Sequence, residues 1–119
     1  MNSDSDIRTD QAGDHLWVVT APGERDLADA EALSQAFDDV FRRGSTLVVD
    51  LSDTTFIDSR VVGVLMGAQA QASRSAAHAL IVVAPPGRQP RRVLDMTVRD
   101  ALPVVDDLST ALSSATPNC

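Results

Sequence analysis

The sequence predicts an α/β domain built on a mostly parallel central sheet, and three observations support this. Residues 47–49 and 79–84 are apolar throughout, as expected of strands that are buried on both faces. The stretches between such runs carry apolar residues at helical spacing. With 119 residues, 44% of them apolar and only 3% aromatic, the chain can build one core, mainly from aliphatic side chains.

The first part of the chain predicts a hairpin followed by a helix. Residues 7–20 alternate weakly at first, reach turn formers at residues 12–14, and end in the strand pattern HLWVVT. Residues 21–24 then break the strand, and the following helix runs to about Arg43. This helix has Asp26 as its N-cap, Gly44 as its stop, and an apolar stripe of Leu27, Ala30, Leu33, Phe37, Val40 and Phe41.

The rest of the chain alternates strands with helices. The predicted elements are a strand at residues 46–51, a helix at 59–73, a strand at 79–84, a short helix at 89–96, a strand at 102–105 and a helix at 107–113. The complete order is β-β-α-β-α-β-α-β-α, with about four helices and an antiparallel opening strand at one edge of the sheet. We expect a single domain over residues 1–119, with a core at about residues 7–112 and flexible termini.

Charge and cysteine content restrict the partners and the compartment. The net charge is −7 and all ten basic residues are arginine, a balance that argues against a broad nucleic-acid surface or an anionic membrane surface. The only cysteine, Cys119, allows no intramolecular disulfide, which fits a reducing compartment. The acidic N-terminal stretch does not resemble a signal peptide, and no apolar run is long enough to span a membrane. We therefore expect a cytoplasmic protein.

The sequence offers no complete catalytic or metal-binding set. A phosphoaspartate receiver normally relies on a lysine late in its sheet, and a phosphate-cradling loop needs several glycines. This chain has no lysine, and residues 54–60 contain no glycine. His15 and His78 are distant in sequence and have no cysteine nearby, so they support neither a hydrolase nor a metal site. The acids of residues 50–58 could pair for catalysis, but loop acids more often cap helices or face solvent. We expect no enzymatic activity, metal or cofactor.

Residues 46–71 are the most informative stretch. They predict a strand, a polar loop at residues 50–55, a return to the core at Phe56 and Ile57, and then a helix. Ser59 falls where the N-cap of that helix is expected. Two interpretations stay open. The serine could serve only as a cap, or it could be an exposed hydroxyl at the positive end of a helix, where a phosphate would be tolerated.

Several stretches resemble the signature of STAS domains, and more narrowly that of bacterial anti-sigma factor antagonists. They are residues 48–51 (VVDL), 56–59 (FIDS) and 63–65 (GVL), the turn at 23–27 (GERDL), and the late helix and strand at 91–96 and 103–106. The resemblance covers about residues 7–112. It departs from the family at Arg60 and Val61, where Ser or Thr and then Gly are usual, and at Arg25, which replaces an apolar residue.

The resemblance implies a STAS-like fold and a specific function. Such a protein binds an anti-sigma factor that is also a serine kinase, and so releases a sigma factor. Phosphorylation at Ser59 would end the interaction, and a serine phosphatase would restore it. The residues expected to contact the partner are Asp58, Arg60, Val61, Val62, Gly23, Glu24 and Asp26. The alternative is a STAS interaction module of a stress-signalling assembly or transport system that is not phosphorylated.

Overall fold

The structure is a computed structural model that describes residues 7–25, 27–43, 46–74, 79–98 and 100–115. These residues form seven strands and four helices. In chain order they are β1 Arg8–Gly13, β2 Leu16–Thr20, β3 Gly23–Arg25, α1 Leu27–Arg42, β4 Thr46–Asp50, β5 Thr54–Ile57, α2 Ser59–Ala72, β6 Ala79–Val83, α3 Gln89–Thr97, β7 Val104–Val105 and α4 Leu108–Ala115.

The main sheet has five strands in the order β1-β2-β4-β6-β7. β1 pairs antiparallel with β2, whereas β2–β4, β4–β6 and β6–β7 are parallel. β4 is the central strand, and its residues Leu47, Val48 and Val49 are at most 1% exposed. This confirms the predicted α/β fold, with its antiparallel edge strand and its four helices.

Helices cover both faces of this sheet, which explains why the strands are apolar without alternation. Leu47 and Val49 belong to a cluster that includes buried side chains of α1, α2 and α3. Val48 faces the other way and packs with Ala111 of α4. Because successive strand residues point to opposite faces, a strand covered on both sides needs an apolar residue at every position.

A second, two-stranded sheet was not predicted from the sequence. β3 and β5 pair in parallel, with Gly23 opposite Thr54 and Glu24 opposite Phe56. The sequence predicts a strand break at residues 21–24, a polar loop at 50–55 and a return to the core at Phe56 and Ile57, without a strand in either segment. The backbone N–H of Gly23 donates to the carbonyl of Asp53 at 3.0 Å, and the buried Thr54 hydroxyl donates to the carbonyl of Ala21.

The prediction that Phe56 returns to the core with Ile57 is wrong for the first of the two residues. Ile57 is 1% exposed, but Phe56 is 41% exposed. Adjacent strand residues point to opposite faces, so the burial of Ile57 turns Phe56 outward. A large apolar side chain therefore lies at the surface just before the Asp-Ser pair.

Asp26, Gly44, His78 and Cys119 fall outside the described residues, as do residues 1–6 and 116–119 of the expected flexible termini. Residues 113–115, which were expected to belong to the flexible C-terminus, are the last residues of α4. At the other end of the chain, the Asp107 carboxylate accepts a hydrogen bond from the Thr110 N–H at 2.7 Å, just before α4. This bond lowers the pKa of Asp107 and satisfies one of the free N–H groups of the first helical turn.

Candidate functional site

The start of α2 is capped by Asp58, so the prediction of Ser59 as the N-cap is wrong. Asp58 has φ −110° and ψ −177°, and its carboxylate accepts hydrogen bonds from Arg60 N at 3.0 Å and Val61 N at 3.1 Å. Aspartate and serine are both favoured caps, and the choice depends on where the extended chain ends. Here β5 keeps the chain extended as far as Ile57, which makes Asp58 the last extended residue.

Ser59 is consequently the first residue of α2, and its side chain is exposed. Its hydroxyl lies at the positive end of a helix of 14 residues, which favours a negative group electrostatically. Two N–H groups of the first turn are already bound by Asp58. Ser59 is therefore available for modification without the loss of a capping bond.

The assignment of the cap to Asp58 gives a stability prediction. Asp58→Ala should lower the free energy of unfolding by about 0.5–2 kcal/mol, because it leaves the N–H groups of Arg60 and Val61 without the carboxylate. Ser59→Ala should cost much less, because alanine is an excellent helix former and no capping bond is lost. Urea denaturation of both variants tests this, and a larger loss for Ser59→Ala would contradict the assignment.

The β3–β5 pairing brings two of the predicted contact regions together. Glu24 on β3 is the ladder partner of Phe56 on β5, and both side chains are exposed. Ser59 and Arg60 follow directly on α2 and are exposed as well. We call the exposed side chains of Glu24, Phe56, Ser59 and Arg60 the Ser59 surface.

The other residues predicted to contact the partner are half-buried, buried or outside the described residues. Gly23 and Asp58 are half-buried beside the Ser59 surface. Val61 and Val62 are 1% and 8% exposed and pack in the core cluster, so they are not part of the Ser59 surface. Asp26 lies outside the described residues. The sequence analysis missed Phe56, although strand alternation from the buried Ile57 could have indicated it.

A buried arginine fixes the loop that carries Glu24. Arg25 is 5% exposed, and its Nε donates to the Pro22 carbonyl at 2.8 Å, a carbonyl that Nη2 also contacts. Its Nη1 forms an ion pair of 3.2 Å with Asp29, in the first turn of α1. Gly23 adopts φ +82° in the same turn, a conformation that glycine accepts at little cost. Arg25 thus links the segment before α1 to the first turn of that helix, in addition to the pairing of β3 with β5.

A groove of about 340 Å³ lies between α1 and α2 next to the Ser59 surface. Arg60 forms part of its wall, together with Asp38 of α1 and the exposed glycines Gly63 and Gly67 of α2. A Cβ built on either glycine would have no neighbour within 4 Å among the described residues. The surface around Ser59 therefore continues along α2 as a shallow, partly polar groove.

Two further observations concern the described part of the chain as a whole. Within it, no three His, Cys, Asp or Glu side chains come together in a group that could hold a metal ion. Its helices also include none with the length and apolar character needed to cross a membrane.

The chain belongs to the STAS domain family. The family model described as "Mlab, STAS domain" matches residues 8–106. No curated protein matches the sequence significantly.

Solved structures share the fold over most of this chain. An anti-sigma factor antagonist from Mycobacterium paratuberculosis is 26% identical, with a TM-score of 0.79, and the match covers 97% of this chain and 98% of that one. The phosphorylated form of the Bacillus cell fate determinant SpoIIAA has 16% identity and a TM-score of 0.70, over 92% and 99% of the two chains. The murine anion transporter Slc26a9 matches 91% of this chain with 19% of its own length, at 18% identity and a TM-score of 0.69.

Proposed function

We propose that this protein is an anti-sigma factor antagonist that binds an anti-sigma factor with serine kinase activity and so frees a sigma factor. The observation that carries the proposal is the exposed Ser59 at the start of α2, next to the exposed Phe56 and Glu24. The similarity to the mycobacterial antagonist over nearly the whole chain supports it. The protein acts in the cytoplasm by binding and not by catalysis.

Phosphorylation of Ser59 ends the interaction, for an electrostatic reason. A phosphoserine adds about −1.5 to −2 charges. It would stand next to Asp58 in a protein whose net charge is already −7. Because Asp58 occupies the N–H groups of Arg60 and Val61, those groups are not free to neutralise the phosphate. The added charge would have to be desolvated in the interface, which disfavours docking until a phosphatase removes it.

Phe56 is the proposed apolar anchor of this contact, and Glu24 and Arg60 form its charged rim. Aromatic side chains, phenylalanine among them, are enriched at protein–protein interfaces, whereas charges at the rim mainly set orientation and association rate. With net charge −7, the protein itself binds no duplex DNA at physiological salt, so its effect on transcription is indirect.

A second candidate is a constitutive STAS module of a transport or stress-signalling assembly. The shared fold of the anion transporter Slc26a9 favours this class. The departures from the antagonist pattern at Arg60 and Val61 also favour it. Val61 is buried, so only Arg60 changes the exposed surface that a kinase would meet.

Capture of partners from the native cell extract, followed by mass-spectrometric mapping of phosphoserine, tests the two candidates. We expect the native chain to retain an ATP-binding anti-sigma factor, to release it when ATP is added, and to carry phosphate on Ser59. Arg60→Ser should accelerate the modification. Val61→Gly is avoided, because it would empty a core position and weaken α2. Recovery of transporter subunits, with no phosphate on either chain, would favour the second candidate.

A further inference from the structure

One edge of β5 is hydrogen-bonded by a side chain. The side-chain amide of Gln89, the first residue of α3, meets both backbone groups of Ile57. The Ile57 N–H donates to Gln89 Oε1 at 2.9 Å, and Gln89 Nε2 donates to the Ile57 carbonyl at 3.0 Å. β3 occupies the other edge of β5. The side-chain amide places an N–H donor and a carbonyl acceptor side by side, so Gln89 satisfies Ile57 as a neighbouring strand would.

The residue before Gln89 holds the other end of the same segment. Arg88 Nη1 donates to the carbonyl of Ser52 at 2.5 Å. Arg88 and Gln89 therefore bind residues 52 and 57, which enclose the turn after β4 and the whole of β5. These bonds join parts of the chain that are 36 and 32 residues apart.

The helix that carries this pair is itself fixed to the main sheet. Arg91 Nη1 donates to the Ala84 carbonyl at 2.7 Å and to Asp106 at 2.8 Å, at the ends of β6 and β7. Leu94, one turn later, is completely buried. Gln89 thus projects from a helix that packs against β5 and is also bonded to the ends of β6 and β7, so it can hold Ile57 in a defined place.

We propose that Gln89 is a positioning residue for the Ser59 site. Ile57 precedes the cap Asp58 by one residue and Ser59 by two, so the two bonds from Gln89 set where the extended chain ends and α2 begins. They also fix the strand from which Phe56 points outward. Gln89 acts through Ile57 and not by contact with the partner. The expected effect of Gln89 on partner binding rests on the proposed function, whereas its role in positioning Ile57 does not.

Two substitutions separate the two bonds. Gln89→Met keeps the length of the side chain and removes both bonds. Gln89→Glu keeps an oxygen that can accept from the Ile57 N–H but offers no donor to the Ile57 carbonyl. Arg92→Met is the matched control, because it removes a side chain of the same helix that bonds only the Gly87 carbonyl among the described residues. Arginine, glutamine and methionine have similar helix propensities.

Amide hydrogen exchange by NMR on the isolated 119-residue chain is the test. Gln89→Met should speed exchange of the Ile57 amide by about tenfold or more, the equivalent of one hydrogen bond. Gln89→Glu should leave that amide protected. Both should shift the Ser59 and Arg60 resonances, while the central-strand amides of Val48 and Val82 keep native protection. Arg92→Met should change none of these signals.

Unchanged Ile57 exchange in Gln89→Met would overturn the positioning role. So would a uniform loss of protection over all strands, since that would indicate general destabilisation only. Affinity for the anti-sigma factor recovered with the native chain is measured separately, and Gln89→Met should weaken it by about tenfold, with Arg92→Met near native. If the native chain binds no anti-sigma factor, the proposed function fails, and the exchange result still decides the role of Gln89.

Discussion

Replacing Arg25 with leucine should lower the free energy of unfolding by about 3–5 kcal/mol, even though the family resemblance implies an apolar residue there. The side chains of Arg25 and Asp29 are 6% and 12% exposed, and the guanidinium also bonds the Pro22 carbonyl. Removing the arginine breaks the ion pair of a carboxylate whose side chain is only 12% exposed. It also releases the loop that carries Glu24. The loss would be a large share of a typical domain stability of about 5–15 kcal/mol.

The double variant Arg25→Leu with Asp29→Leu should recover most of this loss, because an apolar pair leaves no charge to be buried at this position. The exposed pair Arg42–Asp39, whose side chains are 71% and 54% exposed, is the matched control. Arg42→Leu should cost only about 0–1 kcal/mol. Urea titrations of all the variants give the comparison. An Arg25→Leu variant as stable as Arg42→Leu would show that the buried pair contributes little.

Ser59→Asp should remain folded and yet bind the anti-sigma factor at least about tenfold more weakly, a difference of roughly 1.4 kcal/mol. An acidic residue in the first turn of a helix is favourable for stability, so a folding defect is not expected. The loss of binding follows from the second negative charge next to Asp58. Ser59→Ala should bind as the native chain does and become insensitive to ATP.

Ser109→Asp is the control for the added charge. Ser109 is exposed in the first turn of α4, which packs on the opposite face of the main sheet. The substitution adds the same charge at a comparable helical position, away from the Ser59 surface. Calorimetric titration should give native affinity for this variant. Equal weakening by Ser109→Asp and Ser59→Asp would mean that net charge, and not the site, governs binding.

The main sheet and its helices could be predicted because the buried positions of each segment carry apolar residues in a pattern typical of a strand or a helix. The run at residues 47–49 is apolar because helices cover both faces of β4, and helical spacing in α2 follows from one buried stripe. β3 and β5 leave no such pattern. They are three and four residues long and pair through backbone groups that every sequence shares.

The details of the site depend on contacts between distant parts of the chain, and the sequence could not reveal them. Asp58 and Ser59 are equally good caps by type, and the end of β5 decides between them. Gln89 meets Ile57 across 32 residues, with no motif to mark either one. The proximity of Glu24 to Phe56 likewise follows from the register of the second sheet. The position of Ser59 at the start of a helix could be predicted from the sequence, whereas the cap and the side chains around it depend on tertiary hydrogen bonds.

The most direct test is the dissociation constant of the anti-sigma factor for the native chain and for the same chain carrying one phosphate on Ser59. Calorimetry with the two purified forms gives both values under identical salt. The phosphate on Ser59 should disrupt the interface contacts there, so the phosphorylated form should bind at least about a hundredfold more weakly than the native form, a difference of roughly 2.7 kcal/mol. Equal affinity of the two forms would contradict the account, because the Ser59 surface would then not be the contact that phosphorylation controls.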